Sequence, residues 1–230
     1  MTNSIKLEVS ELQTGFEEIF VSPHLSDIKI LEILTILRTK FEEMDKDKIK
    51  IFDEIMDNYK KITEGAEKTQ NSFFFNEYDK LEFSKLLKNH LKLFRYVIYR
   101  YKYKNYPLKK TIEDYPPCVQ IEPTSICNFR CVMCYQTDRS FSDKKNNFMG
   151  FMNFDLYKKI IDELEGNVEA ITLASRGEPT LNKKFIEFIK YCKDKFVAFK
   201  INTNLSTMTE DMAKAIFEND VQTLVVSADA

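Results

Sequence analysis

Histidine is scarce in this chain: His24 and His90 are the only two among 230 residues, and both fall in the first half. A Cys3His zinc site would therefore have to be assembled across distant parts of the sequence. Long apolar runs are missing too. No stretch reaches the roughly 18 uncharged apolar residues that a membrane helix needs. The opening Met1-Thr2-Asn3-Ser4-Ile5-Lys6-Leu7-Glu8 lacks the apolar h-region of a signal peptide. A charge excess is also absent, with 34 Lys and Arg against 36 Asp and Glu. No basic field is left to recruit nucleic acid by phosphate neutralisation, and Lys102, Lys104, Lys109 and Lys110 read as a solvated face. These absences predict a cytoplasmic protein with neither a membrane nor a nucleic-acid partner. In that reducing compartment five cysteines are not a disulfide set. Clustered ones read as metal ligands or catalytic groups.

Core material, by contrast, is plentiful. With 43% hydrophobic residues, 19 Phe and 11 Tyr, the chain supports one large or two small globular domains. The first half reads as helical. Ser26 caps a helix carrying Ile30, Ile33, Leu34, Leu37 and Phe41 at helical spacing. A second helix carries Ile51, Ile55, Met56, Tyr59 and Ile62 and stops near Gly65. A third carries Leu81, Leu86, Leu87, Leu91, Phe94, Val97, Ile98 and Tyr101. The stripe Tyr96, Tyr99, Tyr101, Tyr103 and Tyr106 reads as packing rather than base stacking, because no basic field accompanies it. Pro107 and then Pro116-Pro117 are expected to break the pattern. The boundary is placed there, with a helical domain over 1–114 and a second domain over 115–230.

Past the boundary the texture alternates. Val119–Glu122, Ala170–Ala174, Phe199–Ile201 and Leu224–Val226 read as strands. Between them lie helices through Leu156, Ile160, Ile161 and Leu164, through Phe185, Phe188, Ile189 and Cys192, and through Met212, Ala213, Ile216 and Phe217. Asn153 and Thr209 are the candidate caps and Gly166 a candidate stop. The order β-α-β-α-β-α-β predicts an α/β fold with a parallel sheet and right-handed crossovers. In barrels of this kind the chemistry gathers on the loops at the C-terminal strand ends.

Those loops carry the chemistry-bearing residues. Cys127, Cys131 and Cys134, spaced C-x3-C-x2-C, follow the first strand. Ser175-Arg176-Gly177-Glu178-Pro179 follows the second, Asn202-Thr203-Asn204 the third and Ser227-Ala228-Asp229 the fourth. A structural zinc site closes a four-ligand shell. A cubane iron–sulfur cluster takes one thiolate per iron, so three cysteines leave one iron open to bind and activate something.

Taken together, the residues resemble the radical S-adenosylmethionine (radical SAM) superfamily over roughly residues 116–230. Cys127-x3-Cys131-x2-Cys134 resembles its cluster motif, and Gly177-Glu178-Pro179 its Gly-Gly-Glu segment. Asn202-Thr203-Asn204 is similar to the segment after the third strand, and Val226-Ser227-Ala228-Asp229 to the Val-Ser-x-Asp segment after the fourth. Glu122-Pro123-Thr124 resembles members that carry a C-terminal SPASM or twitch extension. The resemblance implies an incomplete parallel (β/α) barrel of the radical SAM type, preceded by an all-helical N-terminal domain. It implies a [4Fe–4S] cluster on the three cysteines, its open iron chelated by the amino and carboxylate groups of S-adenosylmethionine. It further implies reductive cleavage of that cofactor to a 5′-deoxyadenosyl radical, which abstracts hydrogen from a peptide or small-molecule substrate. A small redox protein is the implied electron donor. Gly177 and Glu178 would lie near the methionine amino group, Asn202 beside it, Ser227 and Asp229 towards the carboxylate or ribose, and the backbone of Met133 at the adenine, with Pro179 and Asn204 also binding the cofactor.

Three departures stand out. Arg176 occupies the place of the first Gly, Leu205 that of the Gly that often follows the Asn, and Met133 a position that is often aromatic. Each segment also has a plainer interpretation. The cysteines can be a zinc-stabilised interaction module completed by a partner chain, or serve an iron–sulfur electron carrier or sensor without SAM chemistry. Gly177-Glu178-Pro179 alone is a turn, Asn202 and Asn204 alone are capping or turn residues, and Cys118 and Cys192 read as buried small hydrophobes. A resembling core has about six βα units where four strands occur here. The chain is therefore expected to be the N-terminal portion of a longer protein.

Overall fold

The structure is a computed structural model and describes residues 25–41, 45–70 and 72–228. The described residues fall into two compact units that divide between Val97 and Ile98.

The first unit is helical. α1 (Asp27–Lys40) starts where Ser26 accepts the Lys29 N–H, and α2 (Lys46–Thr63) where Asp45 accepts those of Asp47 and Lys48. α2 ends at Gly65, whose φ of 102° is left-handed. There the Ala66 N–H reaches back to Lys61 O at 2.9 Å, a Schellman closure. α3 (Glu77–Lys85) opens on a reciprocal Asn76/Asp79 capping box. Buried aromatic rings pack against one another: Phe52 stacks on Phe94 at 4.9 Å, and Phe75 meets Phe73 at 5.2 Å and Phe83 at 5.3 Å. Tyr59 is buried beside Phe75, its hydroxyl accepting the Phe75 N–H at 2.9 Å.

Two expectations about this half are corrected. The predicted third helix is two, α3 and α4 (His90–Lys109). Asn89 separates them by capping α4, its Oδ1 accepting the Lys92 N–H at 3.0 Å. Pro107 does not break α4 but lies inside it. It sits in the last turn, so the missing N–H and the ring cost only the end of the helix. The helix then ends at Lys110, φ 53°, where the Thr111 N–H bonds Tyr106 O at 3.0 Å. Of the tyrosine stripe, Tyr96, Tyr99 and Tyr101 are buried.

The second unit contains a four-stranded parallel sheet in the order β1 (Cys118–Ile121), β2 (Ala170–Leu173), β3 (Ala198–Thr203), β4 (Thr223–Val226). A short helix, α5 (Arg139–Ser142), interrupts the first connection. α6 (Phe154–Leu164), α7 (Phe185–Tyr191) and α8 (Glu210–Glu218) are the crossover helices. Asn153 and Thr209 cap α6 and α8 as expected. The in-register row Val119, Ile171, Phe199 and the row Ile121, Leu173, Ile201 share one face of the sheet and pack with Tyr157, Ile161, Phe185, Phe188 and Ile189 of the helices. Because side chains alternate along a strand, Gln120, Thr172, Lys200 and Asn202 take the opposite face. Asn202 thereby projects on the side where the strand-end loops gather. Among the described residues, no helix is long and apolar enough to cross a membrane.

Candidate functional site: a cysteine loop facing a polar wall

The cysteine loop leaves β1 at Glu122 and is tied shut at its base. Thr124 bridges Phe151, the Ser125 N–H bonds Gly150 O at 3.1 Å, and Ser125 Oγ donates to Phe148 O at 3.0 Å. Gln136, buried just past the third cysteine, donates its amide N–H groups to Ser125 O and Arg176 O, both at 2.7 Å. One side chain thus brackets the three cysteines and joins them to the β2 loop. Between these anchors Cys127, Cys131 and Cys134 are half-exposed, with the Cys134 N–H turned back onto Cys131 O at 2.9 Å.

The β2 loop explains why Gly177 is glycine. A Cβ there would meet Thr124 O at 2.0 Å and Ile126 O at 2.7 Å, both backbone atoms that cannot swing aside. The chain crosses so tightly that the next N–H, from Glu178, bonds Ile126 O at 2.9 Å. Ser175 takes φ 127°, a strained value for a residue with a Cβ, and lines the site. Arg176, the departure from the Gly-Gly-Glu pattern, has its own partner in Glu122. Its Nε and Nη2 reach that carboxylate at 2.8 and 2.5 Å and its backbone N–H at 2.9 Å. Hydrogen bonding to Glu122 raises the guanidinium pKa further, and the guanidinium lies 4.7 Å from the centre of the Phe141 ring.

Glu178 is buried, and its carboxylate is the joint between two loops. Oε1 accepts from Thr180 Oγ1 at 2.6 Å, the Thr180 N–H at 3.2 Å and Thr203 Oγ1 at 2.5 Å. Oε2 accepts the Asn204 N–H at 2.8 Å. Leu205, the second departure, adopts φ 60°. The turn thus keeps the left-handed geometry a glycine would give, held by the Leu205 N–H on Thr203 Oγ1 at 3.0 Å. Asn202 differs from its neighbours: its Oδ1 is buried and has no hydrogen-bond partner among the described residues.

These segments line one concavity of about 440 Å³ at the C-terminal ends of the strands. It brings together Cys127, Cys131, Cys134, Met133, Gly177, Glu178, Asn202, Asn204 and Ser227. Pro179 stands apart: it is buried and opens the short 3-10 turn Pro179–Leu181 behind the wall. Asp229 lies outside the described residues. Sequence reading gave Glu122 and Thr203 only as parts of motifs and missed Gln136 and Thr180. Their signal exists only once the loops are adjacent, since each acts on a residue 25 to 54 positions away. The other two cysteines lie elsewhere. Cys118 is on β1, and Cys192 is buried with its Sγ 2.9 Å from Tyr157 Oη. Burial pushes the Cys192 thiol up to about 12.

The donor set fits a cluster. Among the described residues three thiols and no histidine line the concavity, and a cubane takes one thiolate per iron. The unpartnered Asn202 Oδ1, on a residue that lines the same concavity as the thiols, is an acceptor left for a ligand donor.

Comparison with known proteins agrees with this chemistry. The sequence profile of the Radical SAM superfamily matches residues 121–230. The tungsten-containing aldehyde ferredoxin oxidoreductase cofactor-modifying protein of Pyrococcus furiosus is 32% identical over 111 residues, 47% of this chain and 30% of that protein. The mycofactocin maturase MftC of Mycobacterium tuberculosis is 32% identical over 116 residues, 50% of this chain and 28% of that protein. The chain thus spans under a third of the length of these relatives. Among solved structures, BtrN in complex with AdoMet and 2-DOIA is 23% identical with a TM-score of 0.43, covering 52% of this chain and 49% of that one. Residues 121–230, with their cysteine loop and parallel βα units, are a radical SAM superfamily domain.

Proposed function

We propose that the concavity binds a [4Fe–4S] cluster together with S-adenosylmethionine, and that this chain belongs to a radical SAM enzyme acting on a peptide or small molecule. The observation that carries the reading is the convergence of Cys127, Cys131 and Cys134 with Gly177, Glu178, Asn202, Asn204 and Ser227 on one concavity. When bound, the pair of cofactors supplies reductive cleavage of the sulfonium to a carbon radical. The chain's own residues hold and orient. The three thiolates ligate iron. Asn202 Oδ1 offers an acceptor to the amino group of the cofactor, which satisfies an atom otherwise left buried and unpaired. Glu178 keeps the β2 and β3 loops at a fixed separation, so that Asn202 is in place before the cofactor arrives. Ser227, exposed at the end of β4 with its N–H on Thr203 O at 2.9 Å, would face the carboxylate or ribose of the cofactor, and the backbone at Met133 its adenine. The N-terminal helical unit serves as a separate domain, and a small redox protein delivers the electron.

The test is anaerobic reconstitution with iron and sulfide, followed by S-adenosylmethionine and a strong reductant. Methionine and 5′-deoxyadenosine in equal amounts are the expected products. Asn202→Ala should weaken cofactor binding in equilibrium dialysis and leave the iron content unchanged. A reduced, cluster-loaded protein that binds no S-adenosylmethionine would overturn the reading in favour of an electron carrier, and stoichiometric zinc without sulfide in favour of a zinc module.

A further inference from the structure

The β3 loop touches the cysteine loop through a ring of three polar side chains. Asn204 is its centre, and the orientation of its amide is fixed by its neighbours. The Ser206 N–H and the Ser206 hydroxyl both donate to Asn204 Oδ1, at 3.0 and 2.6 Å. The oxygen end is thereby identified, because a backbone N–H can only donate. The nitrogen end faces the other way. There it donates to Asn128 Oδ1 at 3.2 Å and points at Cys127 Sγ from 4.0 Å. Asn128 closes the ring by donating its own Nδ2 to Ser206 Oγ at 2.7 Å. The backbone of Asn204 is held as well, its N–H on the buried Glu178 carboxylate. Leu205, between Asn204 and Ser206, is in the left-handed region at φ 60°. Strain of that kind persists where the surroundings over-determine it, and here the ring of hydrogen bonds does so.

Cys127 also receives the Phe129 N–H at 3.4 Å, so its sulfur collects a backbone donor and a side-chain donor. A thiolate ligand gains negative charge when its cluster is reduced, and N–H donors aimed at it favour the reduced form. Hydrogen bonds to cluster sulfurs are one of the terms that set reduction potential.

The geometry points to a redox-tuning clasp: the Asn204 amide N–H, aimed at Cys127 Sγ and positioned by Ser206 and Asn128, raises the reduction potential of the cluster on Cys127, Cys131 and Cys134. This rests on the radical SAM reading for the presence of the cluster, and it assigns Asn204 to the cluster rather than to S-adenosylmethionine. Asn128 and Ser206 act through Asn204 and are positioning residues.

The experiment is an EPR-monitored potentiometric titration of the full chain, reconstituted anaerobically with iron and sulfide, with iron and sulfide counted for every variant. Asn204→Ala should lower the midpoint so that the ratio of reduced to oxidised cluster falls about tenfold at a fixed poise, about 59 mV for a one-electron couple. Ser206→Ala keeps the amide but loosens it, and should move the midpoint the same way by less. Unmoved midpoints in both variants, on a wild-type background that carries the cluster, overturn the clasp alone. A wild-type chain that takes up no iron–sulfur cluster overturns the radical SAM reading and the clasp with it. If Asn204→Ala fails to assemble the cluster, Ser206→Ala decides: a lowered midpoint supports the clasp and an unchanged one overturns it.

Discussion

The two walls of the concavity are built on opposite terms. The wall from β2 and β3 is tightly bonded. Glu178, 3% exposed, takes four hydrogen bonds from Thr180, Thr203 and Asn204, and Gly177 lies so close to the β1 loop that no side chain fits. The cysteine wall is anchored at Ser125 and Gln136, while between them Val132 is 93% and Met133 70% exposed. Rigid polar groups are what a small ligand needs to find in place. Cysteines that receive a cluster gain their final arrangement from it, because metal binding supplies folding energy to a site that is not preformed. The contrast separates a wall made for orientation from a wall made for loading, and variants on the two sides should fail in different ways.

The largest effect is expected on the loading side. Cys127→Ala, Cys131→Ala or Cys134→Ala should take the reconstituted chain from about four irons to essentially none. The cluster-free protein should keep its unfolding free energy to within about 0.5 kcal/mol, because the side chains are half-exposed. Cys118→Ala and Cys192→Ala should retain the iron. Since the Cys192 thiol stays protonated up to about pH 12, it should also resist alkylation at pH 8 in the cluster-free protein, whereas the three loop cysteines react. A loop-cysteine variant that keeps four irons, with Cys118→Ala losing them, would undo the assignment.

On the orientation side the order reverses, with stability affected first. Gly177→Ala forces a methyl into contact with Thr124 O and Ile126 O, and should cost about 3 kcal/mol by urea titration. Glu178→Gln should cost about 2 kcal/mol. Whichever way the new amide turns, its NH2 faces a backbone N–H, either that of Asn204 or that of Thr180. If either variant unfolds with the wild-type midpoint, the wall is not braced as described and the contrast between the two sides fails.

Much of this was legible in the sequence because it is local or periodic. The parallel order of four strands, the caps Ser26, Asn153 and Thr209, the stop at Gly65 and the placement of four motifs after successive strands all follow from spacing and short-range chemistry. Where reading failed locally, position within the element decided the outcome. Pro107 breaks a helix interior but is tolerated in the final turn of α4, and Asn89 divides a continuous apolar pattern because its side chain caps the second helix. The site was legible as a list of residues and not as a division of labour. Gly177 was read as a ligand-side residue, and its steric reason appears only when the β1 loop is laid against it. Glu178 and Asn202 look alike in sequence as polar loop residues. The fold gives one of them four donors and leaves the Oδ1 of the other with none among the described residues. Pairings such as Arg176 with Glu122, 54 positions apart, carry no signal in a single sequence.

That pair gives the smallest expected effect and the finest test of the contrast. Arg176 stands where the superfamily resemblance led one to expect glycine, and its guanidinium ties the β2 loop to Glu122 at the C-terminal end of β1. The side chains of Arg176 and Glu122 are 35% and 22% exposed, so water and salt screen their attraction. Arg176→Gln should therefore cost only about 0.5–1 kcal/mol. The loss should shrink further as salt is raised, while the cost of Gly177→Ala should not. The Arg176 N–H on Glu122 survives the change, so the β2 loop keeps one of its ties. A double-mutant cycle with Glu122→Gln isolates the side-chain coupling. A coupling of a few tenths of a kcal/mol would make the pair a trim on an already braced wall. A coupling of about 3 kcal/mol, equal to the steric cost at Gly177, would move the main brace from the buried Glu178 to the rim, and the orientation wall would then owe its rigidity to a surface ion pair.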